Sequence, residues 1–293
     1  MANPPLILPE PQLQPLRAAY ERVVAARRRR SYLVLLTLMA LTAAAALAGE
    51  VSFSKFFSNI GNFTDYFQRI VPQLRSGHFR ADLGEWMWNI EGWSKLVLDT
   101  LLMAYCGTLL GFLGGFMLCF FAAPNLMPNP AIRFAARRFL EFCRSVPGLV
   151  FALIFILAFG LGPMAGVFAI AIHAAGALGK LFAEAIENID MKPVESVKAC
   201  GAAWSGAIRH AVLPQVLPSF ASYGLLRFEI NVREASVMGF VGAGGIGQDF
   251  LEAIRKSYYS DVSAILVLIT VTVFTIDIVS GWLRHRLIGF ETS

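Results

Sequence analysis

The sequence predicts an all-α, polytopic membrane protein with about six transmembrane helices. Three observations lead there. Of the 293 residues, 56% are hydrophobic and only 15% charged, and the mean hydropathy is +0.60. A soluble domain has about 45–50% apolar and about 25% charged residues, so this chain lacks the polar surface to coat itself in water. Second, its apolar residues gather in runs close to the roughly 20 helical residues that cross about 30 Å of hydrocarbon. Third, Arg27, Arg28, Arg29 and Arg30 stand directly before the first run. The same composition excludes a disordered chain, and four cysteines are too few for a small disulfide scaffold.

The candidate spans are Ser31–Ala48, Leu96–Ala123, Pro147–Leu161, Met164–Leu181, Gln215–Ser236 and Val262–Leu283, the third being short. Basic residues stay on the cytoplasmic side, so the four-Arg block places the N-terminus inside, and six crossings place the C-terminus inside too. Most Lys and Arg agree: Arg17, Arg22, Arg133, Arg137, Arg138, Arg144, Lys180, Lys192, Lys198, Arg209, Arg284 and Arg286 join the block on the inner side. Lys55, Arg69, Arg75, Arg80, Lys95, Arg255 and Lys256 fall outside. Arg227 and Arg233 lie within the fifth span. The net charge of +5 and the pI near 9.2 therefore report orientation and do not call for nucleic acid as a partner.

Segment by segment, residues 1–30 read as a cytoplasmic N-terminal segment, 31–48 as the first span, 49–94 as a polar outer segment and 288–293 as a cytoplasmic tail. Ala46-Leu47-Ala48 also fits a signal-peptidase site, but about thirty residues precede the apolar run, far more than a signal peptide carries, so an uncleaved anchor is expected. Trp86, Trp88 and Trp93, with Tyr258 and Tyr259, are expected as interfacial anchors. Cys106, Cys119, Cys143 and Cys200 form no CxxC pair and stand at no ligand spacing to a His; they read as small buried hydrophobes, without metal. His173, deep in a span, is expected to bridge helices by a hydrogen bond rather than to relay protons.

Between the fourth and fifth spans, 182–214 form a long polar connection. Pro193 suits the first turn of a helix, Glu195 suits its positive N-terminal end, and Gly201 breaks it before a second helix over Ala202–Val212. Val194, Val197 and Cys200 make a partly apolar surface that can seat a partner or pack under its own bundle; composition leaves both open. Glu195-Ser196-Val197, Gly201 and Ala211-Val212-Leu213-Pro214 resemble the EAA loop of ABC-importer permeases. The spacings from Glu to Gly and from Gly to Leu-Pro are kept, while Ser196, Val197 and Ala211 replace two alanines and an isoleucine. The resemblance implies that the loop is a coupling helix docking into a cytoplasmic ATPase subunit, with Glu195, Gly201, Ala211, Leu213 and Pro214 as its markers. ATP and Mg would then sit in the partner, and this chain has no G-x-x-x-x-G-K-[ST] loop of its own.

Gly242, Gly244 and Gly247 fit the G-x-G-x-x-G dinucleotide pattern, but a membrane span precedes them, and Asp261 and Asp277 miss the acidic position about twenty residues on. A tight backbone turn against neighbouring helices is expected instead.

Four charges interrupt the fifth span: Arg227, Glu229, Arg233 and Glu234. One charge at mid-bilayer costs at least about 2.5–3.5 kcal/mol, so these must be paired or face a wet path. Glu229 and Arg233, four apart, can meet on one helix face. Arg227 and Glu234, seven apart and about 10.5 Å along the axis, are expected to need partners on other helices or water. The guanidinium fork suits phosphoryl or carboxylate oxygens, so at least one of these arginines is a candidate to line an anion path; a purely structural ion-pair network is the competing expectation.

Arg144-Ser145-Val146-Pro147, Gly176–Glu187 and Arg227–Ala235 running into Gly239–Gly247 resemble the permease subunit of phosphonate importers, a likeness that covers roughly Leu96–Leu287. It implies a type I, MetI-like permease core over 95–287 in a bacterial inner membrane, and an outer segment 49–94 that is periplasmic. It also implies a second permease copy, two ATPase subunits and a periplasmic binding protein that delivers phosphonate. Methionine permeases share the Val241–Gly247 run, phosphite carriers are close kin, and an ion-coupled secondary transporter is the rival from another class.

Overall fold

The computed structural model describes residues 10–49, 52–72, 75 and 77–289, and among these all regular structure is helical. The chain divides into two compact units, Met1–Tyr66 and Phe67–Ser293. In the first, α1 (Glu10–Ala48) is one uninterrupted helix of 39 residues, about 58 Å long. The expected N-terminal segment and first span are therefore a single element from Glu10 onward; residues 1–9 lie outside the described residues. Thr37 and Thr42 donate their hydroxyls to the carbonyls of Leu33 and Leu38, a local solution that suits an apolar helix without polar neighbours. The segment expected to be a polar connection begins with α2 (Phe53–Ile70), whose Phe57, Ile60, Phe63, Phe67 and Ile70 recur at helical spacing along one side.

The second unit comprises α3 (Phe79–Trp86), α4 (Ile90–Ala122), α5 (Pro130–Ser145), α6 (Gly148–Phe159), α7 (Pro163–Glu187), α8 (Met191–Ala199), α9 (Trp204–Ala207), α10 (Leu213–Met238), α11 (Ile246–Arg255) and α12 (Tyr259–Gly289). The tail assigned to 288–293 begins inside α12, and from 290 on lies outside the described residues. α4 and α7 form the central pair. Gly107, Gly111 and Gly115 recur every fourth residue on α4 and face Ile170, Ala174 and Gly179 of α7. A Cβ on Gly111 would stand 2.6 Å from that of Ala174 and 2.8 Å from the Ala171 carbonyl. Small residues at this spacing let two backbones touch, which replaces hydrophobic drive between helices in lipid. On the other side of α7, Gly176 admits α5, since a Cβ there would meet Arg144 N and Leu140 O at 2.7 Å. Asn129 caps α5 by accepting from Ala131 N at 2.9 Å, Pro130 opens its first turn, and Ala136, Leu140 and Cys143 form its buried stripe.

Among the described residues, four helices are long and apolar enough to cross a membrane alone: Arg17–Ala48 within α1, α4, α7 and Tyr259–Arg286 within α12. The expected third span, Pro147–Leu161, is shorter than that: its helix, α6, has 12 residues and is about 18 Å long, and it meets that length only together with α5, from which it is bent by 88°. Pro147 forces Val146 into an extended conformation, φ −77° and ψ 125°, and so ends α5. α10, with 26 residues and about 39 Å, is long enough but needs its neighbours because of its charges.

The glycine run after α10 turns the backbone back towards α4 as expected and carries no strand. Gly245 has φ +76°, and a Cβ there would sit 2.4 Å from Thr100 Oγ1, which accepts from Ile246 N at 3.0 Å. The tryptophans also bind within the protein: Trp86 donates to Ser263 Oγ at 2.9 Å, Trp88 to Asp261 Oδ1 at 3.1 Å, and Trp93 is 2% exposed. They fasten α3 and the start of α4 to α12, because each indole N–H of the first two finds an acceptor on the same unit. Of the cysteines, Cys119 and Cys143 are buried, whereas Cys106 and Cys200 are exposed, so the buried reading holds for the first two alone.

Two outcomes are expected. Gly111→Leu forces α4 from α7 and should destabilise by roughly 1–3 kcal/mol or more, seen as a lower Tm of the purified protein, whereas Gly61→Leu, where a Cβ meets nothing within 4 Å, leaves Tm unchanged. Asp82 accepts from the Arg75 backbone N–H at 2.7 Å and from its guanidinium at 3.0 Å, which holds its carboxyl below the usual carboxylate range. A lowered carboxyl value stabilises the fold above the ordinary carboxylate range, and that contribution is lost as pH falls through the lowered value. Trp86 fluorescence should report this acid-side loosening of α3, and Asp82→Asn should remove it.

Candidate functional site

Two sequence-derived sites can be placed. In the first, the Asp190 side chain caps α8 by accepting from Lys192 N at 3.0 Å. The helix ends at Gly201, φ +84°, whose N–H donates to Lys198 O at 2.9 Å. Val194 is fully buried in the core cluster with Phe182, Ile186 and Val212, while Glu195, Ser196, Lys198 and Cys200 are exposed. The surface expected to group Val194, Val197 and Cys200 is thus split. Val194 holds the loop under its own bundle, Val197 is half-buried against the same core, and Cys200 joins the outer rim with Glu195 and Gly201.

The second loop helix is shorter than Ala202–Val212. α9 has four residues and passes into a π-turn over Ile208–Val212, closed by Leu213 N–H onto Ile208 O, and α10 follows without a break. The wider turn accommodates Pro214, which has no N–H to give to the ladder. Ala211 is buried, Leu213 half-buried and Pro214 exposed. Three residues that the motif did not single out set the geometry. Gln215 accepts from Asp190 N at 3.1 Å and donates to Asp190 O at 3.2 Å and Ala211 O at 2.7 Å, tying α8 to α10. Asn125 donates to Ile186 O at 2.7 Å, and Trp204 to Leu126 O at 3.1 Å, tying the loop to the end of α4. Nothing in their spacing marks them; each acts on a backbone group distant in sequence.

The charges of α10 separate into two groups. Glu229, 12% exposed at its side chain, accepts from Arg233 and, at 3.3 Å, from Arg284 of α12, and Arg233 reaches Asp277 of α12 at 3.3 Å. Two carboxylates and two guanidiniums thus neutralise one another and lock α10 to α12. Asp277 and Arg284 belong to this lock; the sequence placed Arg284 only as a marker of sidedness, and Asp277 lies 44 residues from its partner. The second group faces α7. Arg227, 9% exposed, donates from Nη2 to His173 Nδ1 at 2.5 Å, and the same nitrogen stands 3.4 Å from Glu234 Oε2. Arg227 and Glu234 therefore meet, contrary to expectation: two long side chains cover the separation of two turns by bending towards one His on the facing helix. His173 bridges helices as expected, and because a guanidinium only donates, its Nδ1 must accept. Nearby, Asn231 donates to Thr108 of α4 at 2.8 Å, a buried polar tie between α10 and the central pair.

Residues 115–288 match the family of binding-protein-dependent transport system inner membrane components. The chain belongs to that family. Its core is 43% identical over 196 residues to the phosphite transport system permease protein PtxC of Stutzerimonas stutzeri, covering 67% of this chain and 71% of that one. It is 40% identical over 193 residues to the phosphate-import permease protein PhnE of Mycolicibacterium smegmatis, covering 66% of this chain but only 36% of that protein's length. Among solved structures, an inward-facing form of the MetNI methionine ABC transporter superposes with TM-score 0.58 at 22% identity, covering 65% of this chain and 94% of that one. That likeness establishes the MetI-like permease fold, and with it the all-α membrane architecture expected from the sequence.

Glu229→Ala leaves Arg233 and the half-buried Arg284 without their shared acceptor. It should cost roughly 1–3 kcal/mol, read as a lower Tm and as faster proteolysis of α12.

Proposed function

We propose that this chain is the permease subunit of an ATP-driven importer that carries phosphonate or a related phosphorus oxyanion delivered by a periplasmic binding protein. The family match over 115–288 carries the reading, because it spans both the loop and the charged helix. The names of the phosphite and phosphate permeases it resembles support the substrate class. The N- and C-termini are cytoplasmic in this reading, as the basic residues ask. A second copy of the chain completes the path, and two ATPase subunits below hold ATP and Mg.

The exposed rim of Glu195 and Gly201 is the surface offered to the ATPase, while Val194, Ala211 and Leu213 root the loop in the bundle and Pro214 is exposed at the start of α10. A push on α8 reaches α10 through Gln215, so nucleotide-driven movement of the partner can be passed to the helix that carries the charges. Of those charges, Arg233 is consumed by the lock to α12. Arg227 has a buried Nε without a partner and is the arginine we assign to the anion path.

Co-purification tests the partner. The wild-type chain should retain its ATPase subunit through size exclusion, and Glu195→Arg, at an exposed position, should lose it while keeping Tm, whereas Gly201→Val, strained at φ +84°, should lose it with a lowered Tm. Phosphite or phosphonate flux in liposomes driven by a proton or ion gradient without any ATPase would instead establish a secondary transporter.

A further inference from the structure

We infer that Glu234 is an internal stand-in for the transported oxyanion: it occupies the Arg227–His173 site in this state, and the substrate binds there by displacing it. The inference rests on the assignment of Arg227 to the anion path and adds what controls that site.

The contacts of Glu234 are those of a weakly held occupant. Its Oε2 lies 3.4 Å from Arg227 Nη2 and 3.8 Å from His173 Nδ1. Charge-assisted N–H···O bonds run at about 2.7–2.9 Å, so neither contact is a full one. Arg227 meanwhile leaves Nε buried and unpartnered, and a guanidinium offers two donors side by side to any group with two suitably spaced oxygens. A phosphorus oxyanion has such oxygens, with more charge to share among them. The carboxylate uses one edge nitrogen at long range and leaves most of that capacity unspent. The neighbouring cluster also reaches across helices at 3.3 Å and also leaves a buried Nε, that of Arg284, without a partner, but there one carboxylate, Glu229, is shared by two guanidiniums, whereas Glu234 answers to one guanidinium, that of Arg227.

The surroundings permit exchange. The Glu234 side chain is 31% exposed and that of Arg227 10%, so the acid is the accessible partner and the base the buried one. Gly148, at the start of α6, forms the near wall: a Cβ there would stand 3.7 Å from Glu234 Oε2, in ordinary contact. With Gly148 as its wall, the site is bounded by three elements, α7, α10 and the start of α6.

The experiment is titration of sodium phosphite and of methylphosphonate into the full chain in lipid nanodiscs by calorimetry, alongside phosphite uptake by the complete importer in proteoliposomes. A site left free by its internal occupant one time in ten binds about tenfold more weakly than the free site, so Glu234→Gln, nearly isosteric, should lower the apparent Kd by about tenfold. Arg227→Gln should abolish binding and uptake, and Arg227→Lys, which keeps a charge in place should the first variant misfold, should lose most of the binding. Arg233→Gln should leave Kd unchanged and lower Tm only. If Glu234→Gln binds no more tightly than wild type, or neither binds, while Arg227→Gln still abolishes uptake, the stand-in is overturned and Arg227 keeps its place on the path. Uptake and binding that survive both Arg227 variants overturn the two together.

Discussion

The close approach of α4 and α7 is the constraint on which the rest of the second unit depends. In a bilayer there is no hydrophobic gain from pressing one apolar helix on another, so packing distance and hydrogen bonds must do it. Gly107, Gly111 and Gly115 bring the two backbones into contact, and that sets the positions from which other helices are hung. α5 reaches α7 through Gly176, and α10 is tied to α4 through Asn231 and Thr108 and to α7 through Arg227 and His173. The polar ties are few, and each lies where an unsatisfied group would otherwise face hydrocarbon.

From that frame the charged helix follows. α10 carries four charges through a span and is tolerable because each finds a partner: Glu229 and Arg233 on α12, Arg227 and Glu234 on α7 and on each other. The two groups differ in kind. The α12 group is balanced and mutual, which fits a lock. The α7 group sets one carboxylate at 3.4 Å against one guanidinium, whose buried Nε has no partner, as is also true of Arg284 Nε in the α12 group. Separating them assigns different work to two arginines that the sequence presented as equivalents.

α8 shows the same division of labour within nine residues. It buries Val194 and exposes Glu195, so one side chain anchors the helix and the next stands at the surface. Gln215 ties that helix to α10 by bonding both the N–H and the C=O of Asp190. The π-turn at Ile208–Val212 lets Pro214 stand in a continuous helix.

Composition and spacing alone determined that the chain lives in a membrane, that it is all-α, where most spans run and that the 182–214 loop follows the EAA pattern, because hydropathy, charge and motif spacing are local quantities. They also located the four charges of α10. They did not show the 88° bend between α5 and α6, since hydropathy reads an apolar run without the direction of the helix before it. They marked the tryptophans only by their place beside a span, and it is tertiary contact that hands two indoles to acceptors on α12. Above all, which acid meets which base was beyond them: Asp277, Arg284 and His173 are 44, 55 and 54 residues from their partners, and only helix packing brings those ends together.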